Sequence, residues 1–359
     1  MSGQPAWVRT LPLLSRTLAV GAGGGALFAW LGTPLPWMLG ALIFTSVGAM
    51  AGIRMYTPPE FRRVMMAVLG VLLGSAFSPD LTGQIAAWPA TLAGMLLYVA
   101  VGGGLTMLFF HRVGRLNGPT AFFAAAPGGL SEMMLLGPAM GGNEREITLV
   151  HATRIVLVVL ILPPAFRYAA GYVPPADLGS GGTIAAMEVY DLAILTAAGV
   201  VGLLVGRRLR FPAYQMTGPM LLSAALHVGG LTEARPPYEL LAVAQVIIGC
   251  GAGARFSGVR WIELARPMLL SIVSTTGFLL LAALFALLLA RLIGLDFKAI
   301  LLAYSPGGFA EMNLIALSLG IEVAFVATHH TARIFLVVTL AAWLSSRIWK
   351  RPQAAAHAD

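Results

Sequence analysis

The chain has 359 residues, of which 58% are hydrophobic and only 11% are charged. A soluble domain has about 25% charged residues, so this composition excludes that class and predicts an integral membrane protein whose main partner is the lipid bilayer. The net charge of +8 does not indicate a nucleic-acid partner, because basic pairs such as Arg62-Arg63 and Arg207-Arg208 lie in short loops, where membrane proteins carry their orientation signals.

Ten apolar segments follow one another, and each is predicted to be a membrane-spanning helix, because about 20 apolar residues cross the hydrocarbon layer. In the first half they are Leu11–Leu31, Leu35–Ala51, Arg63–Phe77, Ala86–Phe110 and Ile147–Ala169. In the second half they are Val189–Gly206, Tyr214–Gly229, Leu240–Ala254, Met268–Leu292 and Val323–Ser346. The first is expected to be a span and not a cleaved signal, because it has an internal counterpart at Asp191–Gly206.

An internal repeat relates the two halves of the chain. Ala126–Leu160 aligns without a gap to Ser305–Thr339 at an offset of 179 residues, with 13 identities in 35 positions. A repeat of this length predicts two homologous membrane repeats, residues 1–180 and 181–359, which form one intertwined membrane domain.

Two further segments, Asn117–Met140 and Asp296–Leu319, carry Pro-Gly-Gly near their middle and are predicted to be interrupted. Proline removes a backbone donor and glycine weakens a helix, so neither segment is expected to be one continuous helix. The arginine-rich loops share one side of the membrane if each segment enters the bilayer and returns as a re-entrant hairpin. Each repeat then has five spans, and the second repeat is inverted relative to the first, as in many secondary transporters. Both termini are predicted to be cytoplasmic, in a bacterial inner membrane.

The tips of these predicted hairpins are candidate substrate- or ion-binding sites. They consist of Pro127, Gly128 and Gly129 in the first repeat and of Pro306, Gly307 and Gly308 in the second. Irregular backbone within a membrane is tolerated where it is packed in protein or faces a watery cavity, and its free N–H groups attract anions. The alternative is that Pro-Gly-Gly only makes the turn. Glu132 and Glu311 follow in the first turn of each returning arm, either as partners of the helix dipole or as part of an ion or proton path.

A second motif, H-x-x-R-I, follows each hairpin. Its spacing puts His151 and Arg154 on one helix face, and His330 and Arg333 on another. One interpretation is that each arginine snorkels to the membrane interface. The other is that it pairs with the hairpin glutamate or binds an anionic substrate, beside a histidine that acts as a protonation switch. The recurrence of Glu, His and Arg at one offset favours a shared site.

The segments APGGLSEM and SPGGFAEM, each followed by H-x-x-R-I, resemble the AbrB-duplication membrane family of bacteria. That family also carries the labels ammonia monooxygenase and AbrB-family regulator of gene expression. The resemblance covers nearly the whole chain and implies a multi-pass membrane protein without implying a mechanism. The predicted hairpins are also similar in topology to those of inverted-repeat transporters, an analogy of fold that does not establish function.

These observations favour a secondary transporter of a small, anionic organic solute, with a homo-oligomer left open. The alternative is a membrane sensor that affects gene expression indirectly. A monooxygenase ranks third, because copper sites need several clustered imidazoles, and the chain has only 6 histidines and a single cysteine, Cys250. Neither a cofactor, a metal site nor an enzymatic activity is predicted.

Overall fold

The computed structural model describes residues 6–77, 85–169, 182–183, 185 and 187–349. Within these residues the protein is all-helical, as predicted, with fourteen α-helices and no strand. The helices of the first half are α1 (Ala6–Trp30), α2 (Pro36–Met50), α3 (Pro59–Gly74), α4 (Trp88–Arg112), α5 (Gly118–Ala125), α6 (Leu130–Ala139) and α7 (Glu144–Pro164). Those of the second half are α8 (Val189–Arg208), α9 (Tyr214–Val228), α10 (Tyr238–Gly253), α11 (Trp261–Ile293), α12 (Phe297–Tyr304), α13 (Phe309–Ser318) and α14 (Val323–Ile348).

Seven of the helices are long and apolar enough to cross a membrane: α1, α4, α7, α8, α10, α11 and α14. The candidate spans differ by a few residues from the bounds of some of these helices. All seven coincide with predicted spans. The other three predicted spans are also helices, α2, α3 and α9, but they have only 15 or 16 residues. At ~1.5 Å per residue they extend about 24 Å, somewhat less than the hydrocarbon thickness. The structure therefore supports seven candidate spans, and the number ten remains a prediction.

Glycine allows the short helices to approach their neighbours closely. A Cβ built on Gly40 of α2 would lie 2.1 Å from the carbonyl oxygen of Gly24 in α1, and a Cβ on Gly218 of α9 would lie 2.1 Å from that of Gly202 in α8. No larger residue fits at such a contact. The same contact thus occurs once in each half of the chain, between helices that occupy corresponding positions in the sequence.

The two halves are interleaved. Helix α3 of the first half packs on α9 of the second, and α10 of the second half packs on α2 of the first. Gly70 of α3 faces the carbonyl oxygen of Met216, and its counterpart Gly249 of α10 faces that of Met38. The hydrophobic core accordingly runs through both halves without a boundary between them.

Both Pro-Gly-Gly sequences interrupt a helix, as predicted. Helix α5 ends at Ala125 and α6 begins at Leu130, while α12 ends at Tyr304 and α13 begins at Phe309. The outer ends of α5 and α6 lie together, because the side-chain amide of Asn117 donates a hydrogen bond to the carbonyl oxygen of Gly141 at 3.1 Å. The two helices therefore form a helical hairpin with Pro-Gly-Gly at its tip, and we use the same word for α12 and α13, which also contact each other.

Candidate functional site

Arg154 holds the tip of the first hairpin. Its side chain is 1% exposed and lies on α7, ten residues beyond the first residue of that helix. The guanidinium donates from Nη1 to the carbonyl oxygen of Ala126 and from Nη2 to that of Ala124, each at 2.7 Å. The last carbonyls of a helix have no partner within the helix, so Arg154 satisfies groups that the break in the hairpin exposes. His151, one turn earlier, contacts the carbonyl oxygen of Phe123 through Nε2 at 2.9 Å.

Arg333 holds the second tip in the same way. Its guanidinium, also 1% exposed, donates to the carbonyl oxygens of Ser305 at 2.6 Å, Gly307 at 3.1 Å and Tyr304 at 3.3 Å. Nη2 also lies 2.8 Å from Nδ1 of His330, whose Nε2 contacts the carbonyl oxygen of Leu302 at 3.1 Å. An arginine can only donate and a carbonyl can only accept, so this network fixes His330 as the neutral tautomer with its proton on Nε2.

Neither arginine pairs with a hairpin glutamate, one of the partners that the sequence suggested. Both guanidiniums are buried and bonded to the hairpin backbone, and neither extends to an exposed surface. Among the described residues, no ion pair joins Arg154 or Arg333 to Glu132 or Glu311. The H-x-x-R motif instead fixes the position of each hairpin through main-chain carbonyls, a role that the sequence analysis did not consider.

The two tips have different backbone conformations. Gly128 and Gly129 have φ angles of +134° and +66°, in a region that residues with a side chain rarely adopt. In the second tip Gly308 has a φ of −73°, and neither Gly307 nor Gly308 is among the residues with positive φ. A Cβ on Gly128 would lie 3.6 Å from Nε of Arg333, so the first tip lies beside the arginine of the second half.

A cavity of about 370 Å³ separates the two tips. Ten of the twelve predicted site residues line it: Gly128, Gly129, Glu132, His151, Arg154, Pro306, Gly307, Gly308, Glu311 and Arg333. The other two, Pro127 and His330, are buried beside it. The structure thus brings both repeated motifs to one cavity, as the shared-site interpretation requires.

The two glutamates occupy the predicted positions, in the first turn of α6 and of α13. Glu132 is partly exposed and accepts a long hydrogen bond from the backbone N–H of Ala213 at 3.4 Å. Glu311 is 7% exposed and folds back over the turn, with Oε2 where a Cβ of Gly308 would be. In the described part of the chain, the Glu311 carboxylate accepts no hydrogen bond.

Sequence reasoning missed three further arginines of the cavity. Arg62 and Arg63 belong to the start of α3, and Arg255 follows the end of α10. The sequence analysis assigned Arg62 and Arg63 to orientation signals and did not single out Arg255. The sequence does contain one sign of another role for Arg62 and Arg63. They lie near the first turn of α3, where the positive end of the helix dipole disfavours a cation.

Four of the five arginines have an N–H group without an acceptor. Nε of Arg63, Arg154 and Arg333 and Nη1 of Arg255 are buried atoms with no hydrogen-bond partner in the described structure. A buried donor that lacks an acceptor costs about 1–3 kcal/mol, and more when it is charged. Chemically, this arrangement suits an acceptor that carries negative charge, and guanidinium matches the geometry of carboxylate and phosphate.

The fold and the cavity define the class of the protein: a multi-pass, α-helical membrane protein with two broken helices whose Pro-Gly-Gly tips meet at an arginine-lined cavity. Residues 37–349 match the family described as "Transition state regulatory protein AbrB", and the chain belongs to this family.

Two relatives match over nearly their full length. The chain is similar to "Uncharacterized protein YhjN" of Bacillus subtilis (strain 168), at 28% identity over 350 residues, which cover 90% of each chain. It is also similar to "Putative regulator AbrB" of Escherichia coli (strain K12), at 26% identity over 340 residues, which cover 91% of this chain and 92% of the relative.

Proposed function

We propose that the protein is a secondary transporter of the bacterial inner membrane, which moves a small anionic organic solute without converting it chemically. The observation that carries this proposal is the set of unpartnered guanidinium N–H groups around one cavity. A cavity of about 370 Å³ lies within the size range of small-molecule sites. The five arginines outnumber the two glutamates of its lining, so its net charge favours an anion.

The proposal includes two inverted repeats, each with a re-entrant hairpin. The recurring glycine contacts and the interleaved packing of corresponding helices support the repeat. The bond between Asn117 and Gly141 supports a segment that returns to the side from which it entered. An odd number of spans in each repeat would invert the second, and substrates of such proteins bind where the two repeats meet.

Transport requires that the site open to each side of the membrane in turn. The exposure of the two returning arms supports such an alternation. Leu135 of α6 is 75% exposed, whereas its counterpart Leu314 of α13 is 2% exposed. Eight consecutive residues of α13 are buried, but only Met133 and Gly137 of α6 are. If the repeats are inverted, exchange of these two environments would close the cavity on one side and open it on the other.

The predicted orientation indicates to which side of the membrane the cavity opens in this structure. The cavity extends from the tips to Arg62, Arg63 and Arg255, which adjoin loops that the positive-inside rule assigns to the cytoplasm. The structure would then correspond to an inward-facing state. Glu132 and Glu311 are the groups in the cavity that can bind a coupling proton or sodium ion, because a carboxylate within a membrane commonly marks an ion path.

A membrane sensor is the second candidate, and the regulator name of the Escherichia coli relative favours it. Purified protein in proteoliposomes separates the two functions. Labelled small carboxylates are first screened for thermal stabilisation of the protein in detergent, and the compounds that stabilise it are then tested for uptake under proton and sodium gradients. Gradient-dependent accumulation supports the transporter. Stabilisation without uptake under any gradient contradicts it in favour of the sensor.

A further inference from the structure

Three arginines of the cavity, Arg62, Arg63 and Arg255, are not part of the repeated motifs, and they form a group of their own. Cδ of Arg62 lies 3.6 Å from the position of a Cβ on Gly251, so the start of α3 packs against the last turns of α10. The loops that adjoin these helices are also bonded, from the N–H of Met55 to Oγ of Ser257 at 3.2 Å. We call Arg62, Arg63 and Arg255 the outer arginines, and Arg154 and Arg333 the inner arginines.

The outer and inner arginines lie at different depths. Helix α7 begins at the same end of the protein as the outer arginines, because Arg145 forms an ion pair with Glu263, in the segment that follows Arg255. Phe256, next to Arg255, packs with Leu149 and Ala152 of α7, so the outer set lies about one helical turn, or ~5 Å, from Arg154 along that helix. The cavity therefore has one set of guanidiniums near its mouth and another at the hairpin tips.

Both the outer and the inner arginines have N–H groups that could bind a ligand. Arg63 Nε and Arg255 Nη1 in the outer set, and Arg154 Nε and Arg333 Nε in the inner set, are buried without an acceptor. The Nη hydrogens of Arg333 are all bonded, to hairpin carbonyls and to His330, so only its Nε–H remains for a ligand, whereas Arg154 uses one hydrogen of each Nη and keeps three N–H groups. A single carboxylate is too short to reach both depths, and each set would also have to outweigh one of the two glutamates in the lining.

We infer that the cavity binds a solute with two anionic groups, a small dicarboxylate, with one carboxylate on the inner arginines and the other on the outer arginines. This inference rests on the proposed binding of an anion in this cavity. A carboxylate accepts several charge-assisted hydrogen bonds, so one end of such a solute can accept from Nε of both inner arginines and the other end from Arg63 Nε and Arg255 Nη1.

The test compares straight-chain dicarboxylates of three to six carbons with monocarboxylates of equal length. Full-length protein in detergent is titrated with each compound, and the dissociation constant is obtained from thermal stabilisation. At least one dicarboxylate is expected to bind about 10-fold or more tightly than the monocarboxylate of its length, as one additional charge-assisted hydrogen bond provides. Arg63→Gln and Arg255→Gln are each expected to remove most of that difference, because each should weaken dicarboxylate binding more than monocarboxylate binding.

Arg208→Gln is the matched control, because Arg208 is exposed at the end of α8 and lies outside the cavity. Arg63→Lys keeps the charge and is expected to retain part of the preference, which separates a loss of binding from a loss of fold. Equal binding of mono- and dicarboxylates overturns the inference and leaves the proposed anion site intact. A failure of every carboxylate to stabilise the protein overturns both.

Discussion

The guanidinium of Arg333 donates to the carbonyl oxygen of Ser305 at 2.6 Å, and 179 residues earlier Arg154 makes the corresponding bond to Ala126 at 2.7 Å. Each bond joins a long helix to the point where a short helix breaks. Because an arginine has five donors and no acceptor, it is suited to several carbonyls that converge from one turn. The repeated arginine therefore has a structural role, and any ligand it binds must use the N–H groups that the hairpin leaves free.

Replacement of Arg333 by lysine should distinguish the structural role of its hydrogen bonds from the role of its charge. Arg333→Lys keeps the charge but cannot reach the carbonyls of Tyr304, Ser305 and Gly307 together. Loss of even one buried, charged hydrogen bond costs about 1.5–3 kcal/mol. We expect a lower midpoint of thermal unfolding in detergent, measured by tryptophan fluorescence. Arg208→Lys is the control, and a Lys variant of Arg333 as stable as that control would contradict the anchoring role.

The different conformations of the two tips predict that equivalent substitutions have unequal effects. Gly128→Ala places a Cβ on a backbone with a φ of +134°, which costs about 1–3 kcal/mol. Gly307→Ala has no such strain, but its Cβ would lie 2.5 Å from Sδ and Cε of the buried Met312, so the two variants are compared in a Met312→Ala background, which removes this contact. We expect a clearly lower unfolding midpoint for Gly128→Ala than for Gly307→Ala. Equal midpoints would show that the asymmetry of the tips is not a property of the protein in detergent.

The close contacts of the short helices give a third prediction. Gly40→Ala and Gly218→Ala each bring a Cβ to within 2.1 Å of a backbone oxygen, so the helices must separate. Overpacking of this kind typically costs about 1–3 kcal/mol or more. We expect a reduced yield of monodisperse protein in size-exclusion chromatography. Gly103→Ala is the matched control, because nothing lies within 4 Å of its added Cβ, and it should behave as the wild type.

The sequence predicted the main features of the site because repetition reveals which residues act together. Glu132, Arg154 and their counterparts recur at one offset, and the structure brings both sets to one cavity. The breaks at Pro-Gly-Gly were predictable from backbone chemistry alone. The carbonyl partners of the arginines could not be predicted, because every residue type has a main-chain carbonyl and the sequence does not show which of them accepts a bond.

Other features could not be predicted for different reasons. Arg63 and Arg255 resemble ordinary loop arginines in sequence, and only the packing of α3 beside the end of α10 directs them to the cavity. The asymmetry between the tips was equally hidden, since Gly128-Gly129 and Gly307-Gly308 are the same dipeptide with different φ angles. Identical local sequences adopt different conformations where the tertiary surroundings differ.

The last prediction concerns alternation between the two returning arms. In a Cys250→Ala background, which removes the single native cysteine, Leu135→Cys should react with a membrane-impermeant maleimide from the cytoplasmic side, because Leu135 lines the cavity and is 75% exposed. Leu314→Cys should be protected at rest, because Leu314 is 2% exposed. Addition of a bound solute under an ion gradient should make Leu314→Cys reactive from the opposite side and slow the reaction of Leu135→Cys. Reciprocal labelling requires that α6 and α13 exchange environments, which a carrier must do and a static receptor need not. If Leu314→Cys stays protected under every gradient while the solute still binds, the cavity opens to one side only, and the sensor becomes the better description.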